Sequence, residues 1–455
     1  MSEGVLGKRL HQPELRAALR TLRETNNSTN LRYLAIDYLT IALVAGTAVG
    51  WSLTRQSLGW SWGWDVPTSI VAIVLMGGLQ HRLAGLAHEA AHFTLLKNRL
   101  ANDLVADLLC MFPVFATIHQ YRIAHLAHHQ FTNDWEKDPD LTEVGRPKGV
   151  HEFPMTRGRF VYRYYVRFFL PWVLLGYMWK IAYQSVLGKG NNPYLRDPRF
   201  GKGKNFNRPG VRWASVGGVA YVIGLAATMS AFSQTGHMAP LFIAVAAAYG
   251  TAMLVMSLLP STAFFESPVK HAYSSRVEAM LRLTWMTTLL SSFPAIRMVT
   301  GVNLAPYFWL FWVAPLLTSF AYFMLLRDVY QHANADQGKL TNSRVFFTDR
   351  FTWWAVFVYG QDMHIPHHLF PSIPHYNLPK AHEALKSTNN EYREYVVECH
   401  GTFRNGSGMP TILDVMEQPT REPEIVPPTV LSEVRSETRS DSASPQETDR
   451  RRLAS

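Results

Sequence analysis

Six apolar blocks of about twenty residues run through this chain, a length that matches the hydrocarbon core of a bilayer. Leu31–Leu53, Val66–Ala87, Trp213–Phe232, Leu241–Leu259 and Pro306–Leu326 are strongly apolar, and Leu281–Val299 is weakened by Pro294 and Arg297. Charged residues make up 17% of the 455, against roughly a quarter in an average soluble domain. Backbone polar groups in lipid must be satisfied within the segment. The expected fold class is therefore all-α, a multi-pass transmembrane helical bundle of four to six spans. Trp60, Trp62 and Trp64 lie between the first two blocks, where an aromatic belt is expected. A further segment, Phe160–Leu187, is aromatic and dotted with arginine, and its apolar core Phe168–Trp179 is too short to cross and is expected in the interface.

The net charge of +10 does not indicate nucleic acid, because the basic residues are spread over the loops between apolar blocks. The lead-in, the stretch Arg196–Arg212 and the loop with Lys270 and Arg276 are basic; Ser233–Met238 and Thr300–Ala305 carry no formal charge. If all six blocks cross, every basic loop falls on one side, which the positive-inside rule makes cytosolic together with both termini. In a bacterium this is the cell inner membrane. Omitting only Leu281–Val299 would put His332 and everything after it on the other side. The organisation expected is a polar lead-in over residues 1–30, a membrane domain over 31–415 and a disordered tail over 416–455, rich in Pro, Glu, Ser, Thr and Arg. No cleavable signal peptide is expected from the polar N-terminus. The two cysteines, Cys110 and Cys399, form neither a disulfide framework nor a thiolate metal motif.

Histidine placement carries the chemistry. His88 and His92 stand at i and i+4 where the second block ends, His125-Leu-Ala-His128-His129 follows, and His364-Ile-Pro-His367-His368 follows the last block. In a helix, residues at this spacing share a face. An HxxHH pattern is expected by chance at roughly a few per cent in a chain with 18 histidines, so two copies point to selection for ligands. His332 follows the last block, with Asp328 one turn before it. That makes nine imidazoles, more than a zinc site needs and enough for two metal ions. Imidazole alone does not choose among Fe, Zn, Cu and Ni. His81 and His119 read equally as interfacial anchors. His11, His151, His237, His271, His375, His382 and His400 read as surface or turn histidines.

With the three clusters in the order HxxxH, HxxHH, HxxHH, the chain resembles the membrane fatty acid desaturase and hydroxylase family from about Leu31 to Lys386. His125 to His129 continues into Gln-Phe-Thr-Asn-Asp and Asp138-Pro-Asp140, and His364 to His368 continues into Leu-Phe-Pro-Ser-Ile-Pro, similar to the family's second and third boxes. The resemblance implies a cytosolic, histidine-rich di-iron cap with His88, His92, His125, His128, His129, His332, His364, His367 and His368 as ligands. It implies two irons, O2 as co-substrate and hydrogen abstraction from an unactivated C–H bond, with a lipid or acyl substrate. Two positions depart from the pattern. Pro366 restricts the third cluster to a first helical turn, and Asp328 stands where some relatives carry an amide. Glu89, Asp328, Asp138 and Asp362 are candidates for groups that orient the imidazoles, as are Asp134 and Asp140.

The expected activity is O2-dependent desaturation of an acyl-lipid or acyl-thioester. A carotenoid or other lipid hydroxylase or ketolase is the nearest alternative. His88-Glu89-Ala-Ala-His92 is also the HExxH of zinc proteases, with Glu89 as general base, but an intramembrane protease leaves the other seven histidines unexplained. A histidine-rich metal carrier is a third class. The chain has no His-Pro-Gly-Gly motif, so the expected electron donor is an external ferredoxin or cytochrome b5 type protein.

Overall fold

The computed structural model describes residues 13–134, 137–142, 153–187, 192–196, 209–235, 238–265, 267 and 269–418. The structure begins with α1 (Pro13–Leu22), whose Leu15 and Leu19 are buried against Leu378, Ala381 and Leu385 near the other end of the described chain. The polar lead-in is thus amphipathic. Asn26 caps α2 (Asn27–Ser57) by accepting from the Ser28 backbone N–H. The expected tail differs at its start, because Met416 is buried in a helix running Ile412–Glu417. Residues 419–455 lie outside the described residues.

Two long helices form the first hairpin. α2 and α3 (Asp65–Ala91) meet at the Trp-rich turn, closed by Arg55 Nε on Asp65 Oδ1 at 2.8 Å. α2 faces outward, with 17% of its apolar window buried, whereas α3 is central at 67%. Close approach to α3 needs glycine. A Cβ at Gly77 would lie 2.6 Å from the Phe320 backbone nitrogen, and one at Gly78 would lie 2.5 Å from the Trp354 ring. Across the hairpin, buried Arg82 donates to Asp37 Oδ1 at 2.7 Å and to the Tyr359 hydroxyl at 2.7 Å. This pairing offsets the desolvation of the two charges.

After α3 come α4 (Arg99–Ala106), a π turn over Asp107–Met111, and α5 (Ile118–Phe131), bent by 91° from the preceding helical string. The aromatic segment folds into short helical turns followed by α6 (Pro171–Leu187). Among the described residues it is not a helix long and apolar enough to cross a membrane.

α7 (Pro209–Thr235), α8 (Met238–Leu258) and α9 (Ser275–Thr300) form a second layer. Tyr221 pairs with Thr287 at 3.0 Å and Tyr249 with Thr284 at 2.9 Å. α9 contains the weak sixth block, and its contacts show where it runs. At its start, Arg276 bonds the Leu259 carbonyl at 2.6 Å and Arg282 bonds the Phe115 carbonyl at 2.8 Å. Toward its end, Phe293 packs on Phe308 at 5.1 Å, next to Tyr307, which bonds Gln56 at the far end of α2. With 26 residues, about 39 Å of helix, it runs the length of the bundle.

The last long helix, α10 (Ala305–His332), returns alongside α3 with π turns at Trp309–Val313 and Leu316–Phe320. Among the described residues five helices, α2, α3, α7, α8 and α10, are long and apolar enough to cross a membrane, or six if the bent pair is one span. A parallel two-stranded ribbon of β1 (Val345–Phe347) and β2 (Glu398–His400), with α11 (His364–Leu369) and α12 (Leu378–Thr388), completes the cap.

Replacing Gly77 by Leu forces α3 off the Phe320 backbone and is expected to cost more than ~3 kcal/mol of packing. Gly46→Leu, with nothing within 4 Å, is expected to be neutral. Thermal melts of the detergent-purified proteins check both; equal melting temperatures would contradict the packing.

Candidate metal centre

The nine clustered histidines meet in two groups. His88, His92, His125, His129 and His367 form one; His128, His332, His364 and His368 form the other. Within each group one nitrogen per ring lies within 4.8 Å of the others. The groups adjoin, with His129 stacked on His368 at 4.3 Å and His364 on His367 at 5.7 Å.

Helix periodicity produces the division. In α5 the i, i+4 pair His125 and His129 serves the group of five, while His128, rotated by about 60° from that pair's face, serves the group of four. α11 reverses this: His364 and His368 join the group of four and His367 the group of five. His364 is the first residue of α11, and Pro366 sits in its first turn, where the lost N–H has no intrahelical partner. α3 delivers His88 and its C-cap His92, and α10 ends on His332. Three helices therefore point their carbonyl ends, which are negative, at the two groups.

The ring nitrogens face one another. Nε2 of His125 lies 2.8 Å from that of His92 and 3.0 Å from that of His129, which lies 3.0 Å from that of His367. In the other group, Nε2 of His364 lies 2.9 Å from that of His332 and 3.1 Å from that of His368. His88 has both nitrogens buried without a hydrogen bond. Burial, and then the crowding of imidazoles that cannot all be charged together, hold His92, His125, His129, His364, His367 and His368 well below the usual imidazole range, hence neutral. Converging lone pairs of buried neutral imidazoles are costly unless a cation accepts them. The donor set therefore fits two metal ions.

Neighbours fix the rings. Buried Asp138 accepts from His128 Nδ1 at 3.0 Å and from the Asn133 and Asp140 backbone N–H groups. Burial opposes charge on His128, but Asp138 and Asp140 outweigh it and hold the ring up to about 9. His332 Nδ1 faces the Asn342 carbonyl at 3.1 Å, and His368 Nδ1 faces Thr132 Oγ1 at 3.3 Å.

The other acidic candidates divide. Glu89 lies 3.8 Å from His88 Nδ1 and accepts instead from Thr94 at 2.9 Å and the His375 backbone N–H at 3.0 Å. It ties the end of α3 to the loop after α11. The Asp328 charge acts on His128. Asp362 is turned away toward Trp353, and burial raises its carboxyl to about 6. Asp134 pairs with Lys137.

Several histidines read from sequence as surface, turn or interfacial residues are buried. His375 bonds Asn30 at 3.0 Å, His382 bonds the Tyr392 hydroxyl at 2.7 Å, and His81 and His119 are fully buried. Tertiary cover, which spacing does not reveal, is the reason. His271 is half-buried and stacks on His119 at 3.8 Å; His400 stacks on Phe347 at 4.7 Å. His11, His151 and His237 lie outside the described residues.

Two buried arginines also escaped the sequence reading. Arg122 donates to the Ala90 and Ala91 carbonyls at 2.8 and 3.1 Å and to both Asp103 oxygens, closing the end of α3 beside His92. Arg344 donates to the Tyr330, Ala333 and Asn334 carbonyls, closing the end of α10 beside His332. A basic residue near a helix end is their sole sequence signal, and both partner sets come from distant segments. Asp103, His119 and His271 also cluster, but the Arg122 guanidinium, 2.9 Å from His271 Nδ1, already supplies the positive charge there.

Residues 64–295 and 270–400 match the profile of the fatty acid desaturase family. The chain is 23% identical over 414 residues to dihydrorhizobitoxine desaturase of Bradyrhizobium elkanii, covering 90% of this chain and 89% of that one. Over 41 residues it is 51% identical to the acyl-lipid (9+3)-(E)-desaturase of Dimorphotheca sinuata, 9% of this chain and 11% of that one.

Removing the Asp138 charge by Asp138→Asn is expected to weaken metal retention about 10- to 100-fold. Asp362→Asn, whose carboxyl faces Trp353, is expected to leave it unchanged. Metal content after graded chelator treatment measures both, and equal retention in the two variants would remove Asp138 from this role.

Proposed function

Because the chain belongs to the fatty acid desaturase family, a family of membrane oxidoreductases, we propose that it inserts a double bond into an acyl chain at a histidine-bound di-iron centre. The observation that carries this reading is the convergence of nine imidazoles into adjoining groups of five and four. Zinc sites use three or four ligands, whereas two irons account for all nine. Two bound irons would supply O2 activation and hydrogen abstraction from an unactivated C–H bond.

The chain's own residues supply position and exclusion. Asp138, the Asn342 carbonyl and Thr132 hold Nδ1 of His128, His332 and His368, leaving Nε2 for metal. Tyr121 stacks on His125 at 5.4 Å with rings 6° apart, forming a wall on the group of five. Ile365 of α11 and Leu378 of α12 are buried in one apolar cluster and exclude water from that side.

In the protease alternative Glu89 would activate a water at His88 and His92. Its carboxylate is instead committed to Thr94 and the His375 N–H, which argues against that role. The curated relatives are named for different substrates, so they support the reaction more strongly than the substrate. An acyl-lipid or acyl-thioester is the proposed class. Two electrons per turnover come from an external ferredoxin or cytochrome b5 type protein at the basic face. The proposed orientation puts the histidine groups and both termini in the cytosol.

The test is a mass-spectrometric lipid profile of a host expressing the chain with a ferredoxin system, beside His367→Ala. A new double bond with the parent chain, absent from the mutant, is expected. A hydroxylated or ketonised lipid with an unchanged double-bond profile would replace desaturation with the hydroxylase or ketolase reading.

A further inference from the structure

Among the described residues Arg327 has neither a carboxylate nor a carbonyl partner, and its one side-chain contact is to a histidine. Arg327 is on α10 five residues before His332, about 7.5 Å nearer the middle of the bundle. Its Nη1 lies 3.4 Å from His81 Nε2, and its Nε is buried without a hydrogen-bond partner. The His81 ring is neutral in this arrangement. Its Nδ1 donates to the Ala355 carbonyl at 2.7 Å, which leaves Nε2 as an acceptor. His81 therefore steers the guanidinium without neutralising it.

Arg82, Arg122 and Arg55 pair with Asp37, Asp103 and Asp65, and Arg276, Arg282 and Arg344 donate to backbone carbonyls. Among the described residues no carboxylate pairs with Arg327. Asp328 is adjacent in sequence, but successive helical residues point about 100° apart, and its charge acts on His128. An unpaired arginine at this depth is costly unless something binds it.

The surroundings indicate what binds there. His81 precedes His88 by seven residues, so both lie on nearly one face of α3, about 10 Å apart along the axis. The Arg327 charge also acts on Tyr121 of α5, the ring stacked on His125, and on Tyr177 of α6. The His81 contact sets the Arg327 head group between α10 and α3, toward the face of α3 that carries His88.

We propose that Arg327 binds an anionic group of the substrate, a carboxylate or a phosphate, inside the bundle beside the histidine groups. This rests on the desaturase reading for the reaction, and it replaces the acyl-lipid or acyl-thioester class with an acyl chain that itself ends in an anion. The charged end lies within about 10 Å of the reacting carbon, which suits a medium-length acid better than a long chain with its head group outside. A planar guanidinium pairs with either anion in bidentate fashion.

The test uses the full-length protein with its metal in phosphatidylcholine nanodiscs, with radiolabelled decanoate as probe and methyl decanoate and decyl phosphate as competitors. Arg327→Gln retains a donor for His81 and removes the charge; Arg327→Lys retains the charge without the fork. The parent chain is expected to bind decanoate at least about tenfold tighter than the methyl ester, a preference Arg327→Gln loses while its metal content and melting temperature hold. Arg327→Lys is expected to keep part of it. Stronger competition by decyl phosphate would support the site and assign it to phosphate; weaker competition would assign it to carboxylate. Equal binding of acid and ester by the parent chain, or an unchanged preference in Arg327→Gln, would overturn the proposal.

Product analysis of the same samples separates the two readings. Equal desaturation by the parent chain and Arg327→Gln, with no preference for the acid, refutes the anion site and leaves the desaturase reading intact. Acid preference lost in Arg327→Gln, with no double bond formed in any probe, does the reverse.

Discussion

Buried imidazole lone pairs that face one another need a cation, and much of the cap depends on meeting that need. Without metal, Nε2 atoms 2.8 to 3.1 Å apart compete for few protons in a site from which water is largely excluded. Two bound metal ions would turn the same contacts into ligation. Helix geometry favours this outcome twice. The i, i+4 pairs set the donors, and the carbonyl ends of α3, α5 and α10 supply a negative field. Arg122 and Arg344 bind the last carbonyls of α3 and α10. These arginines hold the helix ends in position and leave the ligand positions to the metal.

Interlocking of the two groups constrains the fold above them. α5 and α11 each contribute to both groups, so a shift of either helix disturbs both groups together. This places a premium on rigid support. The glycines of α3 let α10 and Trp354 approach closely, and Glu89 fastens α3 to the loop following α11. Leu15 and Leu19 of α1 press on α12 from outside. Local packing errors at these places would reach the site through a chain of short, buried contacts.

Much of this was legible in the sequence because it depends on period and length. The spans follow from apolar blocks, and the nine clustered histidines stand out by HxxxH and HxxHH spacing and, for His332, by its place after the last block. Their allocation was not legible, because HxxHH does not say which ring faces which neighbour. Asp138 was found by its place in the acidic extension, whereas Asp362 looked equivalent and turns toward Trp353. His375 and His382 carry no periodic signal, and only the folded chain shows their cover. Arg327 was hidden for a related reason. An arginine near the end of an apolar block ordinarily reads as an interfacial anchor, and its lack of a carboxylate partner is a tertiary fact.

The most direct test of this account is the metal content of the full-length protein purified from an iron-supplied host, with the ions identified by mass spectrometry. The account predicts about two irons per chain, since ligand groups of five and four leave no surplus histidines. A single zinc per chain, or weak and variable loading, would contradict it.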